Sequence, residues 1–266
     1  MGGKVLYSVF TKPWKNMSME ELARFVKGLG FDGIEFPLRE GYQVEPQNAE
    51  RDLPVMAKAL GEHGVKIFSV AATTDEYVFA ACEAAGVPII RIMAGIDKEL
   101  GYMESEKKLK QRFEKLAPLC EKYGVKIGFQ HHFGFMVSST MEMLHLVENF
   151  DPKHIGIVWD AAHSGLAGEE PEQALDIAWS HLCMVNFKNA FYRRVNGPEP
   201  GEAKWERYFT TGPHGLCSWS RAVGYLKKRG YEGVACLTAE YSDKANVDAY
   251  VVQDLTYLKS LFGQTG

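Results

Sequence analysis

Several polar side chains stand where the surrounding chain is apolar. Glu35 lies in GIEFPLRE with Arg39 just behind it, and Arg91 lies in IIRI. Gln130, His131 and His132 follow one another in GFQHH, and Asp160 and His163 share IVWDAAH. Asn186, Lys188 and Asn189 fall in MVNFKNA, and Glu240 in CLTAEY. A polar group inside an apolar run is costly to bury unless it is paired or binds something. One use is a buried hydrogen-bond network. The other is ligation: the oxygens of Gln130, Asp160, Asn186 and Glu240 suit a hard or borderline divalent ion such as Mg²⁺ or Mn²⁺. Arg39, Arg91 and Lys188 suit substrate hydroxyls, a carboxylate or a phosphate. No Gly-rich phosphate cradle accompanies them, so a phosphorylated substrate is not demanded.

These residues need a scaffold that brings them to one place. β-rich runs are read near 4–10, 33–38, 66–72, 88–94, 126–132, 155–161, 183–188 and 233–240. Between them, helical periodicity covers 18–29, 47–62, 75–85, 103–123, 138–149, 171–180, 217–229 and 246–262. Eight strands each followed by a helix predict a single α/β domain over 1–266, a (β/α)8 TIM barrel. The polar residues then gather at the carboxyl ends of its strands, the face where such barrels carry their sites. Ser18 and Glu21 form a capping box. Gly30, Gly64, Gly86, Gly124 and Gly230 each stand between a helix and the next strand, where a left-handed cap is needed. Pro118 is expected to kink its helix. Residues 189–216 read as a long irregular loop, a lid or part of the site.

A net charge of -4 supplies no basic field for nucleic acid or an anionic membrane. The start, MGGKVLYSVFTKPWKN, has too short an apolar run for a signal peptide, and no run spans a bilayer. Five scattered cysteines without CxxC spacing suggest reduced thiols and a cytoplasmic setting. Cys82, Cys120, Cys183 and Cys236 read as small buried hydrophobes, Cys217 less clearly. His63, His145, His154 and His181 read as structural or exposed.

On GFDGIEF, IVWDAAHS and GYEGVACLTAEY, the whole chain resembles the sugar phosphate isomerase/epimerase superfamily of xylose isomerase-like TIM barrels. FPLREGYQVEPQNAERDLPV resembles a sub-branch with altered metal ligands. The resemblance implies one divalent ion held by a Glu on strand five, an Asp on strand six, a His or Gln on strand seven and a Glu on strand eight. Asp160 and Glu240 match that pattern, His163 matches the His after the strand-six Asp, and Lys188 matches a strand-seven Lys. Gln130 replaces the first Glu, Asn186 the His or Gln, and Asn189 a usual Asp. In such relatives the strand-five and strand-eight carboxylates move protons between two faces of the substrate, and Gln130 cannot be a base.

The resemblance therefore implies a sugar or keto-sugar isomerase or epimerase, divalent-metal-assisted, working through an enediolate with Glu240 as base. Its catalytic partner is expected in His132, Glu35 or His214, with His132 first. Arg39, Arg91, His163, Lys188 and His214 would bind substrate, and Gln130, Asp160, Asn186 and Glu240 the metal. The alternatives are a keto-sugar lyase or dehydratase, which needs only one base, and a non-catalytic sugar-binding barrel with a decayed metal site. A nuclease fits worst. The expected partner is a small sugar-like molecule, with a homo-oligomer left open.

Overall fold

The computed structural model describes residues 4–199 and 201–263. The first three residues of the amino-terminal stretch read above, Pro200 of the 189–216 segment and the last three residues of the chain lie outside that range. Strands β1 (Leu6–Phe10), β2 (Gly33–Pro37), β3 (Lys66–Ala71), β4 (Ile89–Ile92), β5 (Lys126–Gln130), β6 (Ile155–Asp160), β7 (Leu182–Phe187) and β10 (Val234–Leu237) close an eight-stranded parallel barrel. Helices α1 (Met19–Leu29), α2 (Ala49–Glu62), α3 (Glu76–Ala85), α4 (Gly101–Tyr123), α5 (Thr140–Val147), α7 (Pro171–Ala178), α8 (Trp219–Lys228) and α9 (Val247–Phe262) alternate with those strands. The fold is a single (β/α)8 TIM barrel. No helix among the described residues is long and apolar enough to cross a membrane.

Local signals explain where the elements begin and end. The Ser18–Glu21 capping box is made, and a second one, Ser139 with Glu142, opens α5. All five expected glycines have positive φ, among them Gly30 at 89° and Gly124 at 63° as the caps of α1 and α4. Pro118 lies inside α4 and Pro54 inside α2. Cys217 is buried, while Cys183 is only partly so.

Two-residue periodicity sorts the strand side chains. Ile34, Ile90, Ile127, Phe129, Trp159 and Val185 pack in the main core, while Ile89, Val158, Met184 and Cys236 belong to a separate cluster. Each member of that second set stands two residues before Arg91, Asp160, Asn186 or Thr238. The alternation thus carries an apolar plug inside the barrel and then, one pleat step further along, the polar side chains of the mouth.

Three local expectations need correction. The segment 189–216 is not irregular: β8 (Asn189–Arg194) and β9 (Trp205–Thr210) form an antiparallel hairpin, with Phe191 beside Tyr208 and Arg193 paired to Glu206. A short helix, α6 (Ala161–Leu166), follows β6 directly, because the Asp160 side chain caps it by accepting from the His163 N–H. The eighth barrel strand ends at Leu237, so Glu240 lies beyond it in a turn. Ala239 there has φ 51°, a left-handed conformation that costs a non-glycine residue about 1–2 kcal/mol.

Asn189 anchors the hairpin to the barrel. It is fully buried, and its Nδ2 donates to the carbonyls of Gly212 and Cys217, both at 2.7 Å. Its Oδ1 accepts from the Ala190 and Cys217 amides at 3.0 and 3.1 Å. An amide satisfies both ends of this cradle, whereas a carboxylate would face two carbonyl oxygens. Asn189→Asp is therefore expected to destabilise the fold by at least about 2 kcal/mol in urea denaturation. A change below about 0.5 kcal/mol would show that the cradle does not require the amide.

Candidate active site

The mouth is built on a hydrogen-bonded layer running across the barrel strands from β2 to β7. Glu35 (β2), Arg91 (β4), Gln130 (β5), Asp160 (β6) and Asn186 (β7) are all buried, none more than 5% exposed. Arg91 Nε donates to Glu35 Oε1 at 2.6 Å, and Ser69 Oγ donates to the same oxygen at 3.1 Å. Gln130 Oε1 accepts from Arg91 Nη1 at 2.9 Å and Asn186 Nδ2 at 3.0 Å, while its Nε2 donates to Asp160 Oδ2 at 2.9 Å. A glutamate at position 130 could not donate to Asp160 and would set two carboxylates against each other. The amide at this position is what the layer requires.

Above this layer lies an ammonium held by carboxylates. Lys188, just past β7, keeps its side chain only 5% exposed; Nζ is 3.1 Å from Glu240 Oε2 and 3.7 Å from Asp160 Oδ2. Lys12 approaches from the loop after β1 and donates to Glu240 Oε1 at 2.7 Å. Burial alone would raise the Glu240 pKa, but the two lysines outweigh it and hold the group at about 2. Burial pushes Asp160 up to about 6 against the opposing pull of Lys188. Burial also works against the charge on Lys188, yet Asp160 and Glu240 raise its pKa overall, so it stays an ammonium.

The histidines divide by tautomer. His132 Nδ1 lies 3.0 Å from the Phe133 carbonyl, an acceptor only, so this nitrogen carries the proton and Nε2 carries the lone pair. Nε2 has no hydrogen bond among the described residues. Partial burial lowers the His132 pKa, which leaves the ring neutral at pH 7. His163 has the opposite tautomer: Nδ1 accepts from the Phe133 amide at 3.4 Å, leaving an Nε2–H 4.0 Å from Asp160 Oδ2. Its ring tilts against that of His132 with centroids 4.3 Å apart, and burial holds its pKa well below the usual range. His131 is fully buried, its two ring nitrogens have no partner among the described residues, and burial pushes its pKa down to about 3.

A cleft of about 720 Å³ opens above these groups, with a deeper pocket of about 110 Å³ at its base. Lys12, His132, Lys188 and Glu240 line both. Gln130, Arg91 and Arg39 reach the deep pocket only. Two of the sequence-predicted residues stand elsewhere. Glu35 is sealed beneath Arg91 and lines neither cavity, so it cannot meet a substrate proton. His214 is exposed on a separate cavity of about 170 Å³ behind β9, bonded to Thr211 at 2.7 Å. Asp160, Asn186 and His163 support the mouth from below. Lys12, Phe133 and Phe209 line the cleft without having been singled out in the sequence. Lys12 carried a usable signal, as a charged residue immediately after a barrel strand.

The four expected metal ligands do not present a common open site. Gln130 spends its oxygen on two N–H donors, Glu240 is clamped by two ammonium groups, and Lys188 stands between the two carboxylates. Of the side-chain oxygens of these four residues, only Asn186 Oδ1 is left without a partner among the described residues. Nor do three His, Cys, Asp or Glu side chains come together among the described residues as a metal site would need. This donor set, as arranged, does not fit a divalent ion.

A family model described as xylose isomerase-like TIM barrel matches residues 23–261. The chain belongs to that family. Among curated proteins, inosose dehydratase of Lacticaseibacillus casei is 23% identical over 151 residues, 54% of this chain and 51% of the relative. The chain thus spans about half the length of the curated relatives it matches. Among solved structures, L-ribulose 3-epimerase superposes with TM-score 0.75 at 14% identity, covering 98% of this chain and 95% of that one. The probable 3-DHS dehydratase of Bacillus anthracis gives TM-score 0.71 at 16% identity, covering 96% and 99%. At such identities these xylose isomerase-like structures speak for the fold alone.

The Glu240 clamp has a consequence for acid stability. Its pKa falls from an ordinary 4.5 to about 2 in the folded chain, so its contribution is present above pH 4.5 and lost as pH falls towards 2. Glu240→Gln is expected to melt below the native chain at pH 7, with the gap shrinking between pH 4.5 and 2. A gap that does not change with pH in calorimetric melts would contradict the clamp.

Proposed function

We propose that this chain is an enzyme that removes the proton next to the carbonyl of a small keto-sugar or polyhydroxy ketone and expels the β-hydroxyl as water. The observation that carries this reading is the single free base among the described walls of the cleft. His132 Nε2 is neutral, unbonded and on the cavity wall, whereas Glu240, clamped by Lys12 and Lys188, is too weak a base.

The chemistry follows from that inventory. The carbonyl oxygen docks on the ammonium groups of Lys188 and Lys12, which favour the negative charge that develops there. His132 Nε2 takes the α-proton, and the electrons of the broken C–H bond form an enolate. As the enolate collapses to a carbon–carbon double bond, the β C–O bond breaks. The imidazolium returns its proton to the departing hydroxide, water leaves and His132 is neutral again. Lys188 supplies the positive charge, so no step calls on Mg²⁺ or Mn²⁺. The dehydratases among the relatives are consistent with this class of reaction.

A carbonyl shift between neighbouring carbons is the second reading, favoured by the same lone base, which can serve two adjacent atoms from one face. Epimerisation by opposed carboxylates needs a base where Gln130 stands, and an amide takes no proton.

The test incubates the chain, with EDTA present, with inosose and a panel of ketoses in D₂O, following deuterium incorporation by NMR and enone formation by ultraviolet absorbance. His132→Gln is expected to lower the rate by about 10²–10⁴-fold. Full activity in His132→Gln, or turnover abolished by EDTA, would count against the proposal.

A further inference from the structure

A second cavity, of about 420 Å³, opens beside the deep pocket among the ends of β2, β3 and β4 and the flank of α4. The two cavities share Arg39, Arg91 and Met93 as walls. Arg112 of α4 lines the side cavity as well, so three guanidinium groups border it, and no Asp or Glu is among its described walls.

Those guanidinium groups keep N–H donors that no acceptor among the described residues occupies, and Arg39 and Arg112 are exposed. Arg91 commits Nε to Glu35 and Nη1 to Gln130, and its Nη2 has no hydrogen bond among the described residues. Arg112 makes one bond, to the Thr74 hydroxyl at 2.9 Å, and no ion pair among the described residues. The Arg39 guanidinium has neither a hydrogen bond nor an ion pair among the described residues. Its guanidinium carbon lies 5.9 Å from the Phe10 ring centroid, and that of Arg91 lies 5.0 Å from the same centroid. Phe10 thus holds two cations near each other while Glu35 neutralises only one. Like charges gathered beside a cavity are unfavourable until an anion joins them, and the guanidinium fork matches a carboxylate or a phosphate in shape.

We propose that this side cavity is an anion subsite, and that the substrate of the mouth is a keto-sugar bearing a carboxylate or phosphate that Arg39, Arg91 and Arg112 receive. This rests on reading the mouth as the reaction site. Arg39 and Arg91 border both cavities, so an anion held there leaves the rest of the molecule to extend towards His132.

The test measures binding without turnover. Dissociation constants for 5-keto-D-gluconate, D-fructose 6-phosphate and neutral D-fructose are measured by calorimetry on the native chain, His132→Gln and the Arg39→Gln/Arg112→Gln double variant. At least one anionic probe is expected to bind about tenfold or more tightly than D-fructose, the size of one charge-assisted hydrogen bond. The double variant is expected to bind the anionic probe no more tightly than D-fructose, and an Arg39→Lys/Arg112→Lys pair to recover part of the preference. The anion that gains more identifies carboxylate or phosphate. His132→Gln is expected to keep the preference for the anionic probe over D-fructose, so failure of His132 as base leaves this result standing. Equal or absent binding of the three probes, or a preference that survives in the double variant, overturns the proposal.

Discussion

The mouth depends on one buried charge. Lys188 places an ammonium between Asp160, which is fully buried, and Glu240, whose side chain is 29% exposed at the cleft. Removing one partner of such a group strands the others at a cost of several kcal/mol. The neighbouring residues follow from it. With the positive charge supplied by a side chain, Asp160 needs a neutral donor on its other flank, which Gln130 provides and a glutamate could not. Asn186 in turn donates to Gln130, and Arg91 closes the layer onto Glu35. Relative to the ligand pattern the resemblance implies, Gln130, Asn186 and Lys188 thus form one coupled exchange, with a site arranged around an ammonium in place of one arranged around a divalent ion.

That exchange alters the chemistry the barrel supports. An ammonium carries one charge and three directed protons, where a divalent ion binds a carbonyl and a hydroxyl together. It can still stabilise an enolate oxygen, while the clamp it imposes on Glu240 removes that carboxylate from proton transfer. In the proposed reaction the work passes to His132, whose tautomer is fixed by the Phe133 carbonyl. Loss of the opposing base at position 130 and loss of basicity at Glu240 both favour reactions completed from one face.

Much of this was legible in the sequence, for physical reasons. Eight β-rich runs each followed by a helix placed Asp160, Asn186 and the other strand-borne polar residues at the carboxyl-end mouth of a barrel, and helix-ending glycines marked the joints between units. The buried-network reading of those residues describes the layer beneath the mouth. What the sequence hid was depth and side-chain pairing. Glu35 looked like a strand-end carboxylate, but nothing local says that Arg91, 56 residues later, covers it. His214 follows the hairpin, whose course depends on Asn189 gripping the backbone near Gly212 and Cys217. The contribution of Lys12 to the Glu240 clamp joins residues 228 apart, visible only once the first and eighth barrel strands lie side by side.

In the proposed reaction Lys188 takes the part that a divalent ion would otherwise play. Calorimetric titration of Mn²⁺ into the native chain at neutral pH tests it most directly. The expected result is no stoichiometric binding, with binding gained when Lys188→Met is combined with Gln130→Glu. One-to-one Mn²⁺ binding to the native chain that is lost in Asp160→Asn would contradict the account.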